Sequence, residues 1–131
     1  MTARLELDVS RSTNEILGEV ARHLLVSALD YETVAMQRLV ISEMDRTPEL
    51  AEIFQSGTSV PVMKFAAGVM NTLVDKAALR GTPEDLAIWF IDLVVTRHSR
   101  EALLHPITNA TEAMFTQQRM AIDFFLMSSS I

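Results

Sequence analysis

From Leu86 to Val95 every residue but Asp92 is apolar, and the residues before this run, Thr82, Pro83, Glu84 and Asp85, have the chemistry of a helix start. A capping hydroxyl, a proline in the first turn and two acids beside the positive end of the helix dipole all favour initiation there. The stretch therefore predicts a helix running to about His98. Leu86, Ala87, Ile88, Trp89, Phe90, Ile91, Leu93, Val94 and Val95 point in every direction around its axis. A helix apolar on all sides must be covered on all sides. A small bundle covers one side; leaving the other wet forgoes roughly 1.5–3 kcal/mol per large side chain. The expected cover is a second copy of the chain, making a homodimer. Ile88, Trp89, Ile91 and Val95 are its candidate interface residues on this helix. Met114, Phe115, Ile122 and Phe125 are the candidates on the last helix, which also carries Phe124 and Met127. The alternative is a central core helix in a monomer.

The rest of the chain predicts a single all-α domain, a bundle of about five to six helices. Its 131 residues fit one domain, and 49% hydrophobic content is enough to build a core. Ser10 to Thr13 is a polar start, followed by a stripe of Ile16, Leu17, Val20, Ala21, Leu24, Leu25 and Ala28. Asp30 caps a second helix bearing Val34, Met36, Leu39, Val40, Ile41 and Met44. Thr47, Pro48 and Glu49 open a short helix that should end at Ser56 and Gly57. Ser59 opens a longer one whose end is expected at Arg80 and Gly81, a basic last turn before a C-cap glycine. After a looser segment around Pro106, Asn109 or Thr111 starts the last helix. Residues 1–11 read as an extended or disordered arm, 12–127 as the helical domain and 128–131 as a tail.

Charge and composition exclude several functions. The formal net charge is −6, and the eleven basic residues are scattered. Direct nucleic-acid binding by this chain is not expected. The longest apolar run is far short of the roughly 20 residues that span a bilayer, so no membrane insertion is expected either. The chain has no cysteine, which removes disulfides, thiolate metal sites and cysteine nucleophiles and suits a cytoplasmic protein. There is no phosphate loop, no nucleophile elbow and no His-Glu-x-x-His. His98, Glu101 and His105 have loosely metal-like spacing, but no second carboxylate motif completes a site. No enzyme activity, metal or cofactor is expected.

Two groups of residues suit ligand binding. Asp92 is an acid inside an apolar helix and must be solvated, paired or protonated. It either pairs with a residue such as Arg97 or Arg119 at an edge, or orients a ligand in a pocket. Met36, Met63, Phe65, Met70 and Trp89, with Asp92, are the candidate lining of an adaptable apolar pocket; each taken singly also fits plain core packing. His23 adjoins the apolar stripe of the first helix and reads as a surface histidine.

The segment Arg38 to Glu43 (RLVISE), then Thr47 to Ala51 (TPELA) and Phe54, resembles the middle of the C-terminal domain of TetR-family transcriptional regulators, in particular the AefR-like branch. The resemblance continues through Arg80 to Ala87 (RGTPEDLA), Phe90 and Leu93 into the aromatic last helix, and covers the chain from about residue 12. It implies a helical domain that binds a small effector, which the methionine and aromatic set above would make apolar or amphipathic, and that dimerises through its last two long helices. In that family DNA is bound by an N-terminal helix-turn-helix head, for which no residues precede Met1. The resemblance thus implies either a fragment of a longer regulator or a headless relative, a helical dimerisation protein that binds neither DNA nor ligand.

Overall fold

The computed structural model describes residues 7–8, 10–105 and 109–131. The described residues form seven α-helical segments in five rods, because two pairs of segments are joined end to end by a π turn. Helix α1 (Thr13–Ala28) is capped by Ser12, whose Oγ accepts from the Glu15 amide and donates to the Glu15 carboxylate. Helix α2 (Tyr31–Glu43) is capped by Asp30, as its position predicts.

The third rod departs from expectation. Helix α3 (Glu49–Phe54) does not stop at Ser56 and Gly57 but passes through a π turn, Gln55–Ser59, into helix α4 (Val60–Lys76). Phe54, Gln55, Ser59 and Val60 all keep right-handed helical backbone angles. Pro61 explains the wide turn. Its ring would run into the carbonyl of Gly57, four residues back, and its missing N–H cannot bond there. An extra residue per turn at that point relieves both problems. Thr47 makes no side-chain cap; its backbone carbonyl accepts from Leu50 instead.

Helix α4 also ends earlier than the Arg80–Gly81 signal suggests. Ala78 adopts φ +51°, and the Leu79 amide bonds back to Val74 O at 3.0 Å, closing a Schellman-type end without glycine. What holds Ala78 there is the C-terminus. Leu79 bridges Ser130 antiparallel, Arg80 N donates to Ser129 O at 2.7 Å and Ile131 N donates to Ala78 O at 2.9 Å. Residues 128–131, expected as a tail, continue α7 to Ser129 and are held against the end of α4, and Ser129 is buried.

Helix α5 (Pro83–Ile91), capped by the Thr82 hydroxyl, runs through a second π turn, Asp92–Thr96, into helix α6 (Arg97–Leu104). This rod outlasts the end expected at His98. Helix α7 (Glu112–Ser129) is capped by Thr111. The segment around Pro106 and most of the arm before residue 10 lie outside the described residues. Leu7, within that arm, packs on the core.

The core runs between α1, α4, α5 and α7. Ile16, Leu17, Val20 and Leu24 meet Met70 and Leu73, Leu86 and Phe90, and Ile122 and Phe125. The rings of Phe90 and Phe125 meet edge to face at 5.3 Å. A smaller cluster of Leu25, Leu29, Val34, Ala102 and Phe115 closes the α2–α6 end. There the Arg38 guanidinium caps α6, donating to the carbonyls of Ala102 and Leu103 at 2.7 and 3.3 Å.

Candidate functional site

The rod from Pro83 to Leu104 has two faces. Leu86, Ala87, Phe90 and Val94 recur at helical spacing and are fully buried in the core. Ile88, Trp89 and Leu93 lie on the other face in contact with solvent. Helix α7 repeats the division: Phe115, Gln118, Ile122 and Phe125 are buried, whereas Met120, Phe124 and Met127 are exposed. Trp89 is 50% exposed, Phe124 53%, Met120 68% and Met127 73%. Where such side chains adjoin, as Trp89, Leu93 and Phe124 do around one groove, they form a candidate contact surface.

Beside this face lies an open groove of about 680 Å³ bounded by Trp89, Leu93 and Phe124 with Arg80, Asp92 and Ser128. Its geometry depends on the tied-down C-terminus, because Arg80 Nη2 reaches Ser128 O at 3.4 Å. Gly81, at φ +114°, passes close under the indole: a Cβ there would lie 3.4 Å from Trp89 Cζ3.

The interface residues expected from sequence divide accordingly. Ile88 and Trp89 are on the exposed face, and Ile91 and Met114 are half-buried. Val95, Phe115, Ile122 and Phe125 are buried inside the single chain, so they support the face from beneath and do not form it. Phe115 is further occupied by Arg22, whose guanidinium stands 4.0 Å over its ring. Leu93, Met120, Phe124 and Met127 are the apolar side chains exposed on the same two rods as Ile88 and Trp89. Helical phase carries the missing signal: once Phe90, Val94, Ile122 and Phe125 define the inner stripes, Trp89 with Leu93 and Met120 with Phe124 fall outside them.

The six pocket candidates do not converge. Trp89 and Asp92 share the groove just described. Met70 is fully buried in the core, Met63 and Phe65 are half-buried on α4, and Met36 is exposed on α2. Phe65 packs against the His23 ring at 5.9 Å. Asp92 is solvated and accepts a 3.0 Å bond from Thr96 Oγ1, so its partner is neither Arg97 nor Arg119.

His98 is almost fully buried, and burial, with the charge of Arg97 beside it, holds its imidazole below the ordinary value of 6.5, against an opposing pull from Glu101. His105 approaches Glu101 at 4.0 Å on the surface. Among the described residues no three potential metal ligands come together. No described helix is long and apolar enough to cross a membrane.

One residue that sequence reasoning passed over ties the site to the core. Gln118 is 3% exposed, and its Nε2 donates to Ala21 O at 2.9 Å and to Val94 O at 2.8 Å. A single amide thus joins α7, α1 and the π turn behind Leu93. Nothing in the pair Gln117 and Gln118 on an amphipathic helix announces that one of them has such a role.

Among the described residues the domain thus has a filled core and an apolar face on α5 and α7 that is open to solvent, with further exposed apolar side chains, Met36, Leu39 and Ile41, on α2. Comparison with known proteins shows the family. Residues 15–128 match the family of the AefR-like transcriptional repressor C-terminal domain, and the chain belongs to that family. This is a family of regulator domains and not of enzymes. The fold is similar to the crystal structure of a protein from Mesorhizobium loti MAFF303099 described as a TetR-family transcriptional regulator. The TM-score is 0.79 and the identity 19%, over 92% of this chain and 61% of that one. The chain therefore spans less than two thirds of that regulator's length. No curated protein matches the chain by sequence.

Proposed function

We propose that this chain is the effector-binding and dimerisation domain of a TetR-type transcriptional regulator, and that two copies meet through the exposed faces of α5 and α7. The observation that carries the reading is the bare set of Trp89, Leu93, Met120, Phe124 and Met127 on the two long helices of a family of regulator C-terminal domains.

The effector is a small apolar or amphipathic molecule. A ligand that binds one arrangement of the helices better than another shifts the population toward it. In an intact regulator, that shift changes the relative placement of the two DNA-binding heads, and by reciprocity operator binding changes effector affinity. In this reading the change passes through the π turn that contains Leu93, which is tied to α7 by the bond from Gln118 to Val94 O.

Sedimentation velocity on the chain and on Phe124→Glu tests the dimer. The expected result is a dimer for the unaltered chain and a folded monomer for the variant, because Phe124 contributes to the surface and not to the core. A Phe124→Glu chain that sediments like the parent would contradict the assigned face. Thermal melting against a library of apolar and amphipathic compounds tests the effector half: a saturable rise in Tm is expected, and a flat response across the library would contradict it.

A further inference from the structure

A second groove, about 390 Å³ in volume, lies in the seam between α1 and α7. Arg119, which lines it, is five residues from Phe124, about 140° around α7, so this groove faces away from the apolar contact surface. Its walls and floor include Gly18, Arg22, Phe115, Gln118 and Arg119.

Three observations set this seam apart. The first is charge. In a chain of net charge −6, three guanidiniums gather at the groove against two carboxylates. Both carboxylates, Glu15 and Glu19, are taken by Arg11. Arg22 is stacked on Phe115 and makes no hydrogen bond or ion pair with any described residue, and Arg119 reaches only Thr116 Oγ1 at 3.0 Å. A guanidinium pinned by its face keeps its edge N–H groups for a planar acceptor such as a carboxylate.

The second is Gly18. It sits mid-helix, where glycine costs about 1 kcal/mol relative to alanine. A Cβ there would meet nothing within 4 Å, so no close packing demands glycine. The consequence of the missing side chain is the open space of the groove itself. The third is Gln118, whose two N–H groups are both spent on Ala21 O and Val94 O, which leaves the guanidiniums of Arg22 and Arg119 as the donors an anion in the groove would meet.

We infer that this seam is a binding site for a small organic monoanion, a carboxylate carrying an apolar body. The carboxylate takes the edge donors of Arg22 and Arg119, and the apolar part lies over Gly18 and along the aliphatic stem of Arg119, with Phe115 and Ile122 as the buried floor beneath. The inference deepens the effector half of the proposed function, on which it rests, by naming a ligand class and a place for it; it needs no second copy of the chain and no contact at the Trp89 face.

Amide chemical-shift titration of the full chain tests it, with hexanoate and benzoate as probes and hexanamide and benzamide as neutral counterparts. The carboxylates should give saturable shifts centred on Gly18, Arg22 and Phe115, and the amides none. Arg22→Gln and Arg119→Gln should each weaken binding about tenfold, the loss of one charge-assisted contact. Gly18→Leu should abolish it by filling the groove, while Gly18→Ala should raise Tm, which shows that the helix itself tolerates a side chain. Equal response to acid and amide, or undiminished binding by Gly18→Leu, would overturn the site. Inorganic phosphate binding as tightly as hexanoate would overturn its apolar half. A dimer that forms normally while hexanoate fails to bind would sink this inference and leave the proposed function standing.

Discussion

Ala78 and Gly81 lie three residues apart in the turn between α4 and α5, and both have positive φ, yet only one is glycine. An L-residue in the left-handed region carries a steric penalty of roughly 1–2 kcal/mol. Ala78→Gly should therefore raise stability by about 0.5–1 kcal/mol, after the extra freedom of glycine in the unfolded chain is subtracted. Gly81→Ala should lower it by about 1–3 kcal/mol, since φ +114° is strained for alanine and its Cβ would press toward Trp89. Urea denaturation of the two variants checks both signs. His98 adds a pH dependence. Its pKa is depressed in the fold, so the unfolded chain takes up a proton more readily. The stabilisation is fully present above the ordinary value of 6.5 and is lost as pH falls below it toward the folded value. Melting curves from neutral to mildly acid pH should show this decline in the parent and a shallower one in His98→Gln.

At the scale of helices, what the sequence reveals depends on how local the cause is. Ser12, Asp30, Thr82 and Thr111 are all caps in the structure, and all four starts are legible, because a cap is a side-chain oxygen meeting an amide two or three residues on. The helix ends were less legible. Gly57 looks like a stop, but Pro61 and the π turn carry the rod through it. Gly81 looks like a C-cap, but the C-terminal residues, distant in sequence, pin Ala78 into that part. Gln118 belongs to the same class of long-range cause. Gln118→Leu removes both its bonds inside the core and should cost about 1–3 kcal/mol. Gln118→Glu should cost more near neutral pH, because it sets a carboxylate against two carbonyl oxygens, and part of that loss should return on acidification. Chemical denaturation at two pH values separates the two effects. The candidate face was legible as a quantity of apolar surface around Trp89. Which residues form it was not, since the choice between Phe124 and Phe125 turns on a helical phase that only the packed core fixes.

For the molecule as a whole, the account rests on two copies covering the Trp89–Phe124 face. Trp89 is the chain's only tryptophan and is half exposed in the single subunit, so its emission reports on that face alone. The direct measurement is the Trp89 emission maximum followed through a dilution series, with sedimentation on the same samples. The account predicts a blue-shifted, water-shielded indole in a species of twice 14.6 kDa, moving to the red as dilution releases single subunits. An indole with the same wet spectrum at every concentration, in a particle that stays at 14.6 kDa, would contradict it.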